Sequence, residues 1–314
     1  MMLLSVEGLT IEAGGRRPIL REVSLSVGKG EIVGLVGESG SGKSTIARSV
    51  LRLLPEGARV YGRVAVEGED VLTMGQAALR DLRASKVSMV YQDPRSSLNP
   101  VRRIGDFMTE RMVHTLGRPK AEARARALEL LDAVGMPDPE ARLRQYPHEL
   151  SGGMLQRVVI AAALAAGPAL LLADEATSAL DVTTQAETLA LLRRVQAERE
   201  LGMLFITHDL HLAAAFCDRV HVLYAGTVVE SRPAKELFAD PRHPYTAGLL
   251  ACTPELGDPR PIRPIPGRPP SLDDAFTGCP FAPRCPEVTS ACEERPPAPV
   301  AVSGGSAACR LVEV

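Results

Sequence analysis

The chain has 314 residues, 45% of them hydrophobic and 24% charged, with a formal net charge of −2 at pH 7. This composition excludes a wholly disordered chain and a collagen or coiled-coil design. The near-neutral charge argues against a nucleic-acid partner. The longest apolar run, residues 158–173, is interrupted by Gly167 and Pro168, so we expect no membrane-spanning helix. The N-terminus shows no signal-peptide pattern, and a cytosolic chain is expected.

The first part of the chain, residues 1–240, is predicted to form one α/β unit. Short alternating segments near its start predict antiparallel strands. Residues 31–37 predict a buried strand, and residues 45–54 predict a helix directly after it. Between residues 102 and 146, Ala, Arg, Glu and Leu predominate, which predicts two or three helices without a strand.

Three further buried strands are predicted at residues 87–91, 169–173 and 203–207, and a long helix at residues 183–201. Because this helix lies between two strands, a parallel sheet is expected. The remaining segment, residues 241–314, holds 15 of the 25 prolines. Proline at this density excludes long helices and central strands.

A phosphate-binding loop is predicted between the strand at 31–37 and the following helix. Its glycines allow backbone N–H groups to face phosphate oxygens, and the helix presents its positive N-terminal end. Lys43 is expected to bind the β- and γ-phosphates, and Ser44 to bind magnesium. The candidate residues of this loop are Gly37, Glu38, Ser39, Gly40, Ser41, Gly42, Lys43, Ser44 and Thr45.

Two carboxylates follow the predicted strand at 169–173. In P-loop NTPases an acid at this position holds magnesium, which suits Asp174. Glu175 can then polarise the attacking water. His208 follows the strand at 203–207 and can donate to the γ-phosphate. The alternatives are an exposed acidic turn and an ordinary histidine.

A second anion-binding helix start is predicted at Leu150-Ser-Gly-Gly-Met-Leu-Gln156, where a glycine pair precedes a helix. With these motifs in this order, the sequence resembles the ATP-binding subunits of ABC transporters over residues 3–240. The resemblance implies an α/β P-loop NTPase fold, with a mixed-sheet core, an antiparallel β subdomain and a helical subdomain at about residues 93–160. The Pro/Cys-rich segment 241–314 would be a C-terminal extension of this nucleotide-binding domain, 1–240.

The resemblance also implies roles for individual residues. Gln92 matches the loop that touches magnesium and reports to the membrane subunit, and residues 178–181 match the D-loop. Two domains meet head to tail in this family, so that the P-loop of one and the signature of the other enclose each ATP. The further nucleotide-binding candidates are Ser151, Gly152, Gly153, Gln156, Asp174 and Asp181. The implied magnesium ligands are Ser44, Gln92 and Asp174, and the implied catalytic residues are Lys43, Glu175 and His208.

Two positions depart from the family pattern. The family usually stacks an aromatic residue on adenine, but residues 8–22 contain no Phe, Tyr, Trp or His. Ile11, Arg16 or Arg17 would have to replace it, since guanidinium planes also stack. Ala176 stands where the family commonly has Pro, and little effect on the chemistry is expected.

The C-terminal segment resembles the extension of oligopeptide/dipeptide (peptide/nickel) importer ATPases at residues 242–246, 263–267 and 278–286. This resemblance implies ATP-driven uptake of di- or oligopeptides at the cytoplasmic face of the inner (plasma) membrane. The implied partners are two permease subunits, a second ATPase that is a paralogue and, indirectly, an extracytoplasmic solute-binding protein. Import of nickel, glutathione or sugar is an alternative. So are a soluble ABC ATPase of translation or DNA repair and a small-molecule P-loop kinase.

Four cysteines follow the spacing C-x5-C-x6-C-x16-C: Cys279, Cys285, Cys292 and Cys309. This spacing matches neither the usual zinc pairs nor the common ferredoxin patterns, so the residues alone leave a metal site and plain thiols open. Members of this branch carry a four-iron four-sulfur cluster in the extension. The resemblance therefore implies a 4Fe-4S cluster, with zinc as the alternative, and a redox-sensing role is compatible with it.

Overall fold

The structure is a computed structural model that describes residues 1–14, 18–178, 180–253, 263–272, 274 and 277–312. The strands are β1 (Met2–Glu12), β2 (Leu20–Gly28), β3 (Ile32–Val36), β4 (Arg59–Val66), β5 (Glu69–Asp70), β6 (Val87–Val90), β7 (Leu170–Asp174), β8 (Gly202–Ile206), β9 (Arg219–Tyr224), β10 (Thr227–Pro233), β11 (Val300–Val302) and β12 (Gly305–Ala307). The helices are α1 (Lys43–Val50), α2 (Gln76–Asp81), α3 (Ile104–Glu110), α4 (Lys120–Ala133), α5 (Pro139–Arg144), α6 (Gly152–Ala165), α7 (Val182–Arg199), α8 (Leu210–Phe216), α9 (Ala234–Ala239), α10 (Pro244–Ala251) and α11 (Ala291–Glu294).

The chain divides into two compact units. The first unit comprises residues 1–3, 27–31 and 73–206, and the second comprises residues 4–26, 32–72 and 207–314, within the described ranges. Among the described residues, no helix combines the length and the apolar character needed to cross a bilayer.

The first unit contains three parallel strands. β6 pairs with β7 from Val87 opposite Leu170, and β7 pairs with β8 from Leu170 opposite Gly202. Every residue of β7 and β8 is buried, as expected for parallel strands covered on both faces. The connection from β7 to β8 is the helix α7, which confirms the predicted strand–helix–strand order.

The helical part of the first unit lies between β6 and β7 in the sequence. Here α3, α4, α5 and α6 pack against one another. Helix α6 buries nine of its 14 residues and provides the centre of this packing. The prediction of helices without a strand between residues 102 and 146 is confirmed.

The second unit contains the antiparallel strands and the P-loop. β1 pairs antiparallel with β4, Leu4 facing Val66, while β3 and β9 run parallel from Val33 opposite Arg219. α1 ends at Val50, four residues earlier than predicted. Arg52 there adopts a left-handed backbone with φ 49°, which ends the helix.

The C-terminal segment adds strands to the sheet of the second unit. β10 pairs antiparallel with both β9 and β12, and β11 pairs with β12. The longest helix described after residue 240 is α10, with eight residues. The described part of this segment has only short helices, as predicted from its proline content. The prediction of no central strand is wrong, because β12 lies between β10 and β11; its residues, Gly305–Ala307, include no proline.

Candidate nucleotide site

The P-loop of the second unit requires glycine at its two ends. Gly37 follows β3 with φ 148°, and Gly42 precedes α1 with φ 106°. A Cβ on Gly37 would lie 2.1 Å from the carbonyl oxygen of Leu223, and a Cβ on Gly42 would lie 2.6 Å from Cδ2 of Leu20. At Gly37 both the backbone conformation and the space exclude a side chain, whereas at Gly42 the positive φ is the main constraint, because the Leu20 side chain can shift.

Lys43 holds the loop from the inside. Its ammonium donates to the carbonyl oxygens of Gly37 at 2.7 Å and Glu38 at 2.9 Å, and the residue is 6% exposed. The carbonyl of Ser41 accepts from the N–H of Gly226 at 3.0 Å. The loop is thus fixed at both sides, and its lysine is held at the start of α1, where this motif requires it.

The outer side of the P-loop contacts the C-terminal segment at Glu38. The Glu38 carboxylate accepts from Nη1 of Arg284 at 2.7 Å and from Nη2 at 3.0 Å. The N–H of Glu38 donates to the hydroxyl oxygen of Tyr245 at 2.9 Å. Sequence reasoning included Glu38 but missed Arg284 and Tyr245. The available signal was the acidic residue itself, because a carboxylate beside a phosphate site needs a neighbouring cation.

The acidic pair of the first unit lies at the end of β7. Asp174 is the last strand residue and is 4% exposed. Glu175 adopts φ 50°, which is uncommon for a residue with a side chain, and its N–H donates to the carbonyl of Ile206 at 3.0 Å. Nε2 of Gln92 donates to Oε2 of Glu175 at 2.7 Å. The structure therefore brings together two candidates that the sequence separates by 83 residues.

The signature segment begins α6. Ser151 caps this helix by accepting from the N–H of Met154 at 3.3 Å. Ser151 and Gly152 are exposed, and a Cβ on Gly152 would meet no atom of the described residues within 4 Å. Packing among the described residues therefore does not require glycine at position 152, and its backbone is accessible from their side. At Gly153 a Cβ would lie 3.7 Å from Leu180.

Gln156 lies inside the first unit, although it was expected to bind nucleotide. Its side chain is fully buried, and Nε2 donates to the carbonyl oxygen of Ala176. Ser178 in turn donates its hydroxyl to the carbonyl oxygen of Glu175 at 3.0 Å. Gln156 thus connects the signature helix to the turn that contains Glu175.

Asp181 caps α7. It accepts from the N–H of Thr184 at 3.0 Å and from the Thr184 hydroxyl at 2.8 Å. These bonds hold the pKa of Asp181 below its ordinary value. Ala179 of the D-loop lies outside the described residues.

Asp181 should contribute a pH-dependent part of the stability. Because its pKa is lowered in the folded state, its stabilisation is complete above the ordinary Asp pKa and is lost as pH falls through the folded value. We expect the difference in unfolding free energy between wild type and Asp181→Asn to shrink from neutral to acid pH. Urea unfolding at a series of pH values measures this difference, and a constant difference would contradict the assignment.

His208 is exposed, and it immediately precedes Asp209, the N-cap of α8. Ile11 is fully buried, so it offers no surface on which adenine could stack. Arg16 and Arg17, the other residues suggested for adenine, lie outside the described residues.

The four C-terminal cysteines line one small cavity of about 20 Å³ in the second unit, together with His243 and Phe281. Burial raises the pKa of Cys279, Cys285 and Cys309, and the charges of the neighbouring thiols raise it further for each. Within the described residues, however, no three His, Cys, Asp or Glu side chains are grouped so that they could hold a metal ion. The four cysteines therefore share a cavity, but the described residues form no metal site, and the implied cluster stays a prediction.

Comparisons with known proteins agree with these motifs. The ABC transporter family matches residues 20–178, and the C-terminal region of oligopeptide/dipeptide transporters matches residues 229–292. The oligopeptide transport ATP-binding protein OppD of Salmonella typhimurium is 43% identical over 92% of this chain and 87% of that protein. OppD of Mycobacterium tuberculosis is 49% identical over 87% of this chain. The chain spans only 45% of the length of that relative.

Solved structures show the same fold. A dimeric ATP-binding cassette in a post-hydrolysis state with ADP and Pi has a TM-score of 0.67 and 28% identity, covering 74% of this chain and 99% of that one. CbiO1 of Clostridium perfringens, part of an ABC transporter complex, has the same TM-score and identity over 76% of this chain and 91% of its own. These matches confirm the resemblance inferred from the P-loop, signature and C-terminal motifs, and the chain belongs to the ATP-binding proteins of ABC transporters.

Proposed function

We propose that this chain is the ATP-hydrolysing subunit of an ABC importer that powers the uptake of di- or oligopeptides through separate permease subunits. The observation that carries the proposal is the complete set of ATPase motifs followed by the matched C-terminal region of oligopeptide/dipeptide transporters. The names of the relatives, which refer to oligopeptide transport, support the same solute class.

ATP binding is assigned to the P-loop. Its backbone N–H groups, Lys43 and the start of α1 bind the phosphates. Ser44, Gln92 and Asp174 offer hydroxyl, amide and carboxylate oxygens, the ligand types that Mg²⁺ takes. A magnesium ion bound there would neutralise phosphate charge. Asp174 lies at the end of β7, directly before the proposed base Glu175.

Hydrolysis is assigned to Glu175. Its carboxylate orients the attacking water and accepts a proton from it, while Gln92 holds the carboxylate through the 2.7 Å hydrogen bond. His208 donates to the γ-phosphate. Positioning and charge stabilisation supply most of the catalysis in phosphoryl transfer.

A second ATPase chain is expected to complete each site. The exposed signature start at Ser151 and Gly152 is open to another molecule. We assign this surface to the ATP of a partner ATPase, a paralogue, in a head-to-tail dimer. Two permease subunits would hold the dimer at the cytoplasmic face of the plasma membrane, and an extracytoplasmic binding protein would deliver the solute.

The test is co-purification of the tagged chain from detergent-solubilised native membranes, with partners identified by mass spectrometry. Two permeases, a second ATPase and a binding protein that retains peptide would support the proposal. A binding protein that retains nickel, glutathione or sugar would keep the importer and replace the solute. Soluble partners alone would contradict transport.

We further propose that the four C-terminal cysteines hold a 4Fe-4S cluster, with zinc as the alternative. Four thiols on one cavity fit the donor set of either group. The raised pKa values of Cys279, Cys285 and Cys309 mean that metal binding would release protons, because the thiolate is the ligand. A cavity of about 20 Å³ holds no more than a water, so the cysteines would have to move apart around a cluster.

Metal analysis of anaerobically purified protein tests this site. We expect iron and acid-labile sulfide with a broad visible absorption that is lost in Cys292→Ser. Cys252→Ser is the matched control, because the Cys252 thiol donates to the carbonyl of Arg263 and does not line the cavity. Stoichiometric zinc without sulfide would select the alternative, and protein free of both metals would reject the site.

A further inference from the structure

The C-terminal segment contacts the P-loop through two residues that the ATPase motifs do not include. Arg284 forms a two-pronged ion pair with the carboxylate of Glu38, at 2.7 and 3.0 Å, across 246 residues of sequence. Tyr245 accepts a hydrogen bond from the backbone N–H of the same residue at 2.9 Å. All three residues belong to the second unit. Side chain and backbone of one P-loop residue are therefore both held from outside the loop.

The guanidinium of Arg284 is fixed by further contacts. Nε donates to the carbonyl of Pro266 at 2.8 Å, and Nη1 also donates to the hydroxyl of Tyr224 at 3.2 Å. The Arg284 side chain is only 6% exposed, compared with 24% for Glu38. A charge held this far from water in a fixed orientation interacts more strongly with its partner than an exposed pair does.

The hydroxyl of Tyr245 is equally fixed. The Tyr245 ring lies 4.5 Å from the ring of Tyr224 and 5.3 Å from that of Phe281, measured between centroids. Tyr224 and Phe281 contact each other edge to face at 5.3 Å. The three rings are fully buried. This aromatic cluster of Tyr224, Tyr245 and Phe281 holds the phenol against the P-loop backbone.

The electrostatic consequence concerns the ligand. Glu38 is the second residue of a loop whose glycines and lysine serve phosphate, so an uncompensated carboxylate there would repel a polyphosphate. Arg284 supplies the compensating charge. The N–H of Glu38 donates to the Tyr245 hydroxyl and is therefore not available to the ligand.

We propose that Arg284 and Tyr245 are positioning residues of the nucleotide site, which neutralise and orient Glu38 so that the P-loop binds ATP–magnesium. The C-terminal segment then contributes residues to the nucleotide site. This inference rests on the proposed ATP binding and assigns that binding two residues outside the nucleotide-binding domain predicted from sequence.

The experiment measures ATP affinity and turnover separately on the full chain. Arg284→Gln should weaken ATP binding by about tenfold, the order expected for an uncompensated charge near a charged ligand. Tyr245→Phe keeps the ring and removes the acceptor, so it should weaken binding by a smaller factor. Arg268→Gln is the matched control, since Arg268 is 73% exposed and pairs with Asp274 in the same segment.

The decisive variant is the double mutant Arg284→Gln/Glu38→Gln. Because it removes both charges, it should recover most of the affinity that Arg284→Gln loses, which a simple packing defect would not do. An affinity as low as that of the single mutant would overturn the inference, as would unchanged affinity in Arg284→Gln. If Arg284→Gln fails to fold, the same measurement of ATP affinity is made on Tyr245→Phe and on Arg284→Lys. The lysine variant keeps the positive charge.

The outcome separates this inference from the proposed function. Wild-type chain that binds no ATP would contradict the ATPase assignment itself. Wild-type chain that binds ATP, with variants that bind equally well, would contradict only the roles of Arg284 and Tyr245.

Discussion

Replacing Glu175 with glutamine is expected to leave ATP binding intact and to lower ATP turnover by about a hundredfold or more. A rate loss of this size is expected when a general base is removed. Glutamine preserves the shape of the side chain and can still accept the hydrogen bond that Gln92 donates at 2.7 Å. It cannot accept a proton from the attacking water. Single-turnover hydrolysis, measured beside nucleotide binding on the same preparation, gives both quantities.

The control for Glu175→Gln is Glu187→Gln in the same unit. Glu187 is 61% exposed at its side chain and pairs with Arg157 on the surface. Its replacement removes the same charge without touching Gln92 or Asp174. Hydrolysis near the wild-type rate in Glu175→Gln would assign the base to another residue.

Replacing Gly37 with alanine is expected to disrupt the nucleotide-free fold by more than about 3 kcal/mol in unfolding free energy, above the usual range for backbone strain alone. The new Cβ would lie 2.1 Å from the carbonyl oxygen of Leu223, which belongs to the backbone of β9. Relief would require the P-loop or β9 to move. Chemical unfolding in the absence of nucleotide measures the loss.

Gly68→Ala is the control that distinguishes backbone strain from a steric clash. Gly68 has φ 87°, but a Cβ there would meet no atom within 4 Å in the part of the chain that the structure describes. Its replacement should lower the unfolding free energy by about 1 kcal/mol, the cost expected for a left-handed backbone conformation without a steric clash. Equal losses in the two variants would show that the contact with Leu223 does not limit the P-loop.

The sequence predicts those parts of the fold and site that depend on local order. The spacing of Gly37, Gly42 and Lys43 predicts a loop between strand and helix, because phosphate binding needs that order of backbone donors. The parallel strands β7 and β8 follow from two apolar runs joined by a helix. The assignment of the chain to its family likewise depends on motifs, each of which is a contiguous stretch of sequence.

Contacts between distant residues could not be predicted in this way. The hydrogen bond between Gln92 and Glu175 depends on how β6 and β7 pair, and the ion pair of Glu38 with Arg284 joins residues 246 positions apart. Gln156 shows the opposite difficulty. It lies within a binding motif, but the turn of α6 directs its side chain into the interior, where it meets Ala176.

The contact between Arg284 and Glu38 limits how this protein can be recombined. A chimera that takes residues 1–240 from this chain and its C-terminal segment from a relative would contain Glu38, but the relative need not supply an arginine equivalent to Arg284. Truncation after α9 would also remove the segment that supplies β12 to the edge of β10. When the two parts are exchanged, Glu38, Tyr245 and Arg284 should therefore be transferred or redesigned together.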